Sequence, residues 1–218
     1  MIRISPMTLA YILQMTGVAV FACSGALSAG RKSLDVVGVI VISFSTAVGG
    51  GTLRDLLLQR NIFWLADPVY LWVCIGAGAL TWLYASFWPL PQRTLLFADA
   101  CGLGLFAISG AQIAEQFGHS VVISCIMGVI TGVAGGVLRD VLCGEIPLIF
   151  RKSELYASAA MLGTIVYFSL KALSISTAIA SLVGIGVITL LRCAALIFGW
   201  HLPVFHFREQ SGKSPGGY

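Results

Sequence analysis

An all-α membrane protein is predicted by three observations. Of the 218 residues, 58% are hydrophobic and only 10% charged; mean hydropathy is +0.94; and the apolar residues fall into long runs split by short polar breaks. A water-soluble domain of this length cannot hide so much apolar surface, so lipid must be the solvent. The formal charge of +4 is no nucleic-acid signal, because the basic residues stand singly between apolar runs, where they act as topology markers.

Crossing a bilayer takes about 20 mostly apolar residues. Seven segments qualify: residues 7–29, 34–58, 69–87, 95–114, 120–142, 155–170 and 177–197, of which the sixth is the shortest. The first begins close to Met1 but shows no small-residue cleavage site followed by a soluble domain, so it is a mature helix and not a signal peptide. Residues 1–205 then form a single transmembrane domain, and 206–218 a flexible tail. The cysteines (Cys23, Cys74, Cys101, Cys125, Cys143, Cys193) lie in or beside apolar segments without CxxC spacing or histidine partners. They read as small buried hydrophobes, not as a metal or disulfide framework.

The chain repeats itself at an offset of 85 residues. Thr46-Ala47-Val48-Gly49-Gly50-Gly51-Thr52-Leu53-Arg54-Asp55 returns as Thr131-Gly132-Val133-Ala134-Gly135-Gly136-Val137-Leu138-Arg139-Asp140. Gly17 matches Gly102, Phe21 matches Phe106, Ser24-Gly25-Ala26 matches Ser109-Gly110-Ala111, and Gly78 matches Gly163. Repeat one covers about residues 7–87 and repeat two about 95–172, three segments each, with 177–197 an addition. Three is odd, so the second copy must enter the membrane from the opposite side, giving inverted repeats about an axis in the membrane plane. Placing the N-terminus outside puts Arg31, Lys32, Arg93, Arg151, Lys152, Arg208 and Lys213 in the cytoplasm, against Arg3, Arg60 and Lys171 outside. That excess of basic residues predicts N-out, C-in.

Glycine loosens a helix and ionised side chains are costly in hydrocarbon, so the doubled motif needs a reason. Breaks at Gly49, Gly50 and Gly51, and at Gly135 and Gly136, would free backbone groups to line a water-filled cavity, with the hydroxyls of Thr46 and Thr131 a turn earlier. Close helix packing through small residues is the alternative. Arg54 and Arg139 lie on opposite sides of the midplane, roughly 20 Å apart along the normal. Adjacent helical residues point about 100° apart, so Arg54–Asp55 and Arg139–Asp140 are not expected to pair internally and each arginine needs a partner elsewhere. Asp99 is that candidate for Arg139. Its repeat equivalent is Gln14, which offers Arg54 only a hydrogen bond. Arg192 is expected to snorkel as an interfacial anchor, and Trp64, Trp72, Trp82, Trp88 and Trp200 fall near segment ends, as interfacial aromatics do. His119, His201 and His206 have no carboxylate or nucleophile at productive spacing, and the glycine runs lack the Lys-Ser or Lys-Thr of a phosphate loop. Nothing suggests an enzyme, cofactor or bound metal.

Two Gly-Gly-Gly-x-x-Arg-Asp-like motifs, each preceded by a Phe-Ala-x-Ser-Gly helix, and the Trp200-His201-Leu202-Pro203-Val204-Phe205 ending resemble the bacterial branch of the trimeric intracellular cation (TRIC) channels. The resemblance covers residues 14–205 and implies a seven-helix protomer of inverted three-helix repeats, associated as a homotrimer in the bacterial inner membrane. It implies a potassium-permeable pore in each protomer, passing potassium or sodium ions, with transient potassium near kinks in the second and fifth spans. Its site residues here are Gly49, Gly50, Gly51, Arg54, Asp55, Gly135, Gly136, Arg139 and Asp140. Relatives in that family often carry Asp where Gln14 stands, and Ala134 replaces the first glycine of the second run. Membrane lipid and permeant ions are the expected partners. A secondary transporter of a small zwitterion such as an amino acid accounts equally well for inverted repeats and charges at depth.

Overall fold

The computed structural model describes residues 6–88, 91, 93–151 and 155–200. Lys152 and the expected tail at 206–218 lie outside the described residues. The helices are α1 (Pro6–Arg31), α2 (Val36–Leu57), a single turn α3 (Phe63–Ala66), α4 (Val69–Phe87), α5 (Thr94–Gln116), α6 (Val121–Leu142), α7 (Ala157–Ala172) and α8 (Thr177–Phe198), with a 3-10 turn at Leu148–Phe150. Six of these are long and apolar enough to cross a membrane, and α7 is a shorter apolar helix. The seven expected segments match α1, α2, α4, α5, α6, α7 and α8 to within three residues at each end; α3 and the 3-10 turn were not foreseen.

Helix ends follow local chemistry. The Asp35 carboxylate accepts the Gly38 N–H at 2.8 Å and starts α2, one of the donors that a helix N-terminus leaves open. Residues 85 apart end their helices alike: Ser33 (φ 54°) after α1 and Gly118 (φ 79°) after α5, then Gln59 (φ 51°) after α2 and Gly144 (φ 67°) after α6. Left-handed residues at these positions let the chain turn back at once. Much of the outward surface is apolar, including Val37, Trp72, Leu80, Phe87, Val122, Leu182 and Leu190, as lipid-facing helices require.

Two close approaches hold the centre. Phe21 of α1 stacks on Phe106 of α5 with ring centroids 5.1 Å apart, in space left by Gly17 and Gly102. Below this stack α2 crosses α6 backbone to backbone. A Cβ on Gly135 would lie 2.5 Å from the Thr46 carbonyl oxygen, and one on Gly50 would collide with the Thr131 carbonyl oxygen. Gly25 and Gly110 in turn admit the Thr46 and Thr131 side chains.

Both glycine runs lie inside unbroken helices, which corrects the expectation of breaks. The glycines remove side chains where two helices touch, and their backbone groups stay in the helical ladder. The threonine hydroxyls are likewise occupied: Thr46 donates to the Ile42 carbonyl and Thr131 to the Met127 carbonyl, both at 2.6 Å. Ala134, the departure in the second run, is equivalent to Gly49, whose nearest neighbours across the crossing are side-chain atoms of Leu138, unlike the backbone that Gly50 and Gly135 meet.

Candidate functional site

Past the crossing, each Arg-Asp pair closes one end of the bundle. At one end Asp140 is fixed from both sides, since its Oδ2 accepts the Leu148 N–H at 2.9 Å and its Oδ1 accepts Arg139 Nε–H at 2.9 Å. Arg139 is fully buried and its Nη1 donates to Asp99 Oδ1 at 2.7 Å and to Ser24 Oγ at 2.6 Å. The Tyr156 hydroxyl donates to the same Asp99 oxygen at 3.2 Å. Arg192 Nη2 lies 3.9 Å from Asp99 Oδ2, its guanidinium 4.6 Å over the Tyr156 ring, and its Nη1 donates to the Leu155 carbonyl at 3.3 Å.

The other end repeats this plan with parts missing. Asp55 Oδ2 accepts the Phe63 N–H at 2.8 Å and Asp55 Oδ1 accepts Arg54 Nε–H at 2.8 Å. Phe63 and Leu148 are themselves 85 residues apart, so each aspartate caps the turn eight residues on. Arg60 Nε sits 3.5 Å from Asp55 Oδ1, and the Arg54 guanidinium lies 5.6 Å over the Phe63 ring. Gln14 stands where the first end has Asp99, and here both Gln14 Nε2 and Arg54 Nη1 are buried without a hydrogen-bond partner.

The Asp99 partner expected for Arg139 is in place. Three other expectations are corrected. Each arginine does pair with its own neighbouring aspartate, because the long stem folds back onto a carboxylate held still by the following turn. The hydrogen bond expected between Gln14 and Arg54 is not formed. Arg192 does not snorkel; it is buried beside Asp99. Ser24 and Tyr156 were not singled out as site residues. Ser24 carried a signal, being part of the repeated Ser-Gly-Ala; Tyr156 carried none, lying outside the doubled motif.

Each end opens into a cavity. At the Asp55 end one of about 250 Å³ is lined by Gln14, Arg60, Phe63, Asp67, Tyr70 and Gln116 among others. At the Asp140 end one of about 130 Å³ is lined by Ser28, Arg31, Asp140, Glu145, Leu148 and Arg151 among others. Arg60, Phe63 and Gln116 are the repeat equivalents of Glu145, Leu148 and Arg31, so the two mouths share a frame and differ in charge. Lys32 pairs with Glu145, with Arg151 Nη2 at 3.6 Å, and the Lys32 ammonium holds the Glu145 carboxyl below its ordinary range. With the folded value lowered, the pairing contributes above the normal carboxylate range and is lost as pH falls through that lowered value. Acidification below the ordinary carboxylate range is therefore expected to free this mouth, seen as greater mobility of a nitroxide carried on a Ser28→Cys variant, since Ser28 lines the cavity and is not part of the pair. Unchanged mobility on acidification contradicts it.

The helical arrangement matches the crystal structure of the TRIC channel orthologue from Rhodobacter sphaeroides with a TM-score of 0.84 and 40% identity, over 88% of this chain and 100% of that one. The chain belongs to the TRIC family. A second TRIC structure, described as the structural basis for conductance through TRIC cation channels, matches at TM-score 0.79 and 38% identity, over 90% of this chain and 97% of that one. The inner membrane protein YadS of Escherichia coli K12, of the UPF0126 group within the TRIC family, is 42% identical over 93% of this chain and 99% of its own. A family model described as "Glycine transporter" matches twice, at residues 11–86 and 96–172, once on each copy of the repeat. The chain is thus an all-helical integral membrane protein of the TRIC fold.

Proposed function

We propose that this protein is a cation channel, permeable to potassium, with its path running through each protomer between the Asp55 and Asp140 mouths. The observation that carries this reading is the pair of cavities at repeat-equivalent ends of the bundle, one lined by Asp140 and the other by Arg60 and Phe63, the partners of buried Asp55. The likeness to structures described as TRIC cation channels supports it. The path is closed in this conformation, because the Gly50–Thr131 and Gly135–Thr46 backbones touch. Opening requires α2 and α6 to separate or bend there, presenting carbonyl oxygens and threonine hydroxyls to a dehydrated ion. The protomer has seven spans, α7 completing the six longer ones, in two inverted repeats. It assembles as a homotrimer in the inner membrane with the N-terminus outside, which makes the Asp55 mouth external and the Asp140 mouth cytoplasmic.

The Arg139–Asp99 pair acts as a stopper on the cytoplasmic side. A guanidinium matched to carboxylates adds little net field, so it blocks by position and does not repel cations. Purified protein in a planar bilayer under a potassium chloride gradient is expected to show discrete openings that reverse near the potassium potential. Asp99→Asn and Arg54→Gln are expected to alter open probability severalfold. Reversal near the chloride potential sinks cation selectivity, and unchanged gating in both variants sinks the stopper.

A transporter of a small zwitterion is the second reading, favoured by the family model described as "Glycine transporter". It predicts a silent bilayer together with saturable uptake into proteoliposomes that unlabelled substrate competes away.

A further inference from the structure

Two phenylalanines 85 residues apart lie face to face where the two copies of the repeat meet. Phe21 and Phe106 are both buried, and their rings stack at 15° to one another. What surrounds Phe21 gives it a second role beside filling the core. Its ring stands against Gly102 of α5, where a Cβ would collide with it. The same ring also stands against Gly135 of α6, where a Cβ would lie 3.1 Å from Phe21 Cε2. Gly135 is the residue whose Cβ position faces the Thr46 carbonyl oxygen at the closed crossing. It is therefore held between that carbonyl and an aromatic ring, with no side chain of its own to give way.

The ring comes from α1, which is neither of the two crossing helices. Phe21 and Phe106 share one buried cluster with Ala47 and Val48 of α2 and with Phe63, whose N–H donates to Asp55 Oδ2. Phe21 is thus packed with α2 and the Asp55 end while its ring bears on α6. A movement that parts α6 from α2 at Gly135 must take Gly135 away from that ring. Dispersion contact made only in the closed arrangement stabilises that arrangement alone.

We propose that Phe21 is a positioning residue for the crossing: it wedges α6 against α2 and sets how readily the two part. Phe106, its repeat equivalent, backs the ring through the stack. The inference rests on the reading that the path is closed where α2 and α6 touch, and it adds α1 to the elements that control opening. Leucine at position 21 stays apolar but is too short to reach Gly135. Methionine is long and flexible enough to keep the contact.

The test takes two readouts from the same variants. Phe21→Leu is expected to raise open probability in the bilayer by about fivefold, with unitary conductance and reversal potential unchanged. Phe21→Met is expected to return most of the way to the parent value. The second readout needs no conduction. Thr46→Cys places a thiol at the crossing, where the native side chain is fully buried. Its labelling by a water-soluble methanethiosulfonate, counted above that of the native cysteines, is expected to quicken by a similar factor when Phe21→Leu is added. Phe168→Leu, in the other buried cluster and beside Tyr167, controls for lost stability in general. It is expected to lower the thermal midpoint and leave the labelling unchanged. A silent bilayer with faster labelling overturns the channel reading and upholds the wedge. Labelling that Phe21→Leu leaves unchanged, or that Phe168→Leu quickens equally, overturns the wedge.

Discussion

Alanine at Gly50 or Gly135 is expected to lower the thermal midpoint by about 5–10 °C, while alanine at Gly76 leaves it unchanged or slightly higher. All three substitutions add one methyl to a transmembrane helix, and in isolation each gains about 0.5–1 kcal/mol of helix propensity. Surroundings decide the outcome. Gly76 has nothing within 4 Å of the position its Cβ would take, so only the propensity gain remains. At Gly135 the new atom would stand 2.5 Å from the Thr46 carbonyl oxygen, and at Gly50 it would collide with that of Thr131. A backbone carbonyl held in a helix cannot rotate away, so α2 and α6 must part along their length. Overpacking of this kind costs about 1–3 kcal/mol, and more when backbone moves; each kcal/mol shifts the midpoint of a chain this size by about 2–4 °C. Gly49→Ala separates this account from a general demand for glycine, because it meets the end of the Leu138 side chain, which can turn. The second repeat already carries Ala134 there. Gly49 and Gly50 variants of equal stability would sink the backbone-crossing account.

The fold was legible in the sequence because membrane helices report themselves through length and composition, and seven segment boundaries followed from that alone. The offset of 85 exposed the second level, since Gly50 and Gly135, or Phe21 and Phe106, prove to be partners across one crossing. What the sequence concealed lies between spans. Asp55 and Asp140 gave no sign that they bond the N–H of Phe63 and Leu148, because that depends on a turn whose conformation no local propensity dictates. The internal Arg54–Asp55 and Arg139–Asp140 pairs were missed for the same reason: the 100° rule describes Cβ directions, whereas a long guanidinium stem samples many rotamers and stays where a carboxylate has been immobilised. Arg192 was misread because a single arginine near a helix end has the same sequence context whether it snorkels or turns inward. Asp99 was found correctly, since a lone carboxylate in an apolar run requires a cation and the repeat geometry put Arg139 at its level.

Arg139→Gln is expected to be far more damaging than Arg54→Gln, although the two arginines occupy equivalent places in the repeat. Removing Arg139 takes from Asp99 and Asp140 the cation they share at 2.7 and 2.8 Å, with both side chains nearly inaccessible; Arg192 remains 3.9 Å from Asp99 Oδ2, and Arg31 and Arg151 line the cavity beside Asp140. Stranding a buried charge in this way costs about 3–5 kcal/mol. Removing Arg54 strands only Asp55, which keeps Arg60 at 3.5 Å and the Phe63 N–H at 2.8 Å, and it also removes the orphaned Nη1. A net loss of about 1–2 kcal/mol is the corresponding expectation. Adding Asp99→Asn to Arg139→Gln should return part of the loss, because the second change removes the charge that the first exposed; the mismatch from additivity gives the coupling of the pair. Thermal midpoints of the singles and the double in one detergent measure it. Equal losses for Arg54→Gln and Arg139→Gln, with no recovery in the double, would show that neither arginine is held chiefly by carboxylates. On the proposed channel function, the asymmetry predicts that the end held by Asp99 opens less readily than the Asp55 end, so Asp99→Asn should raise open probability more than Gln14→Ala does.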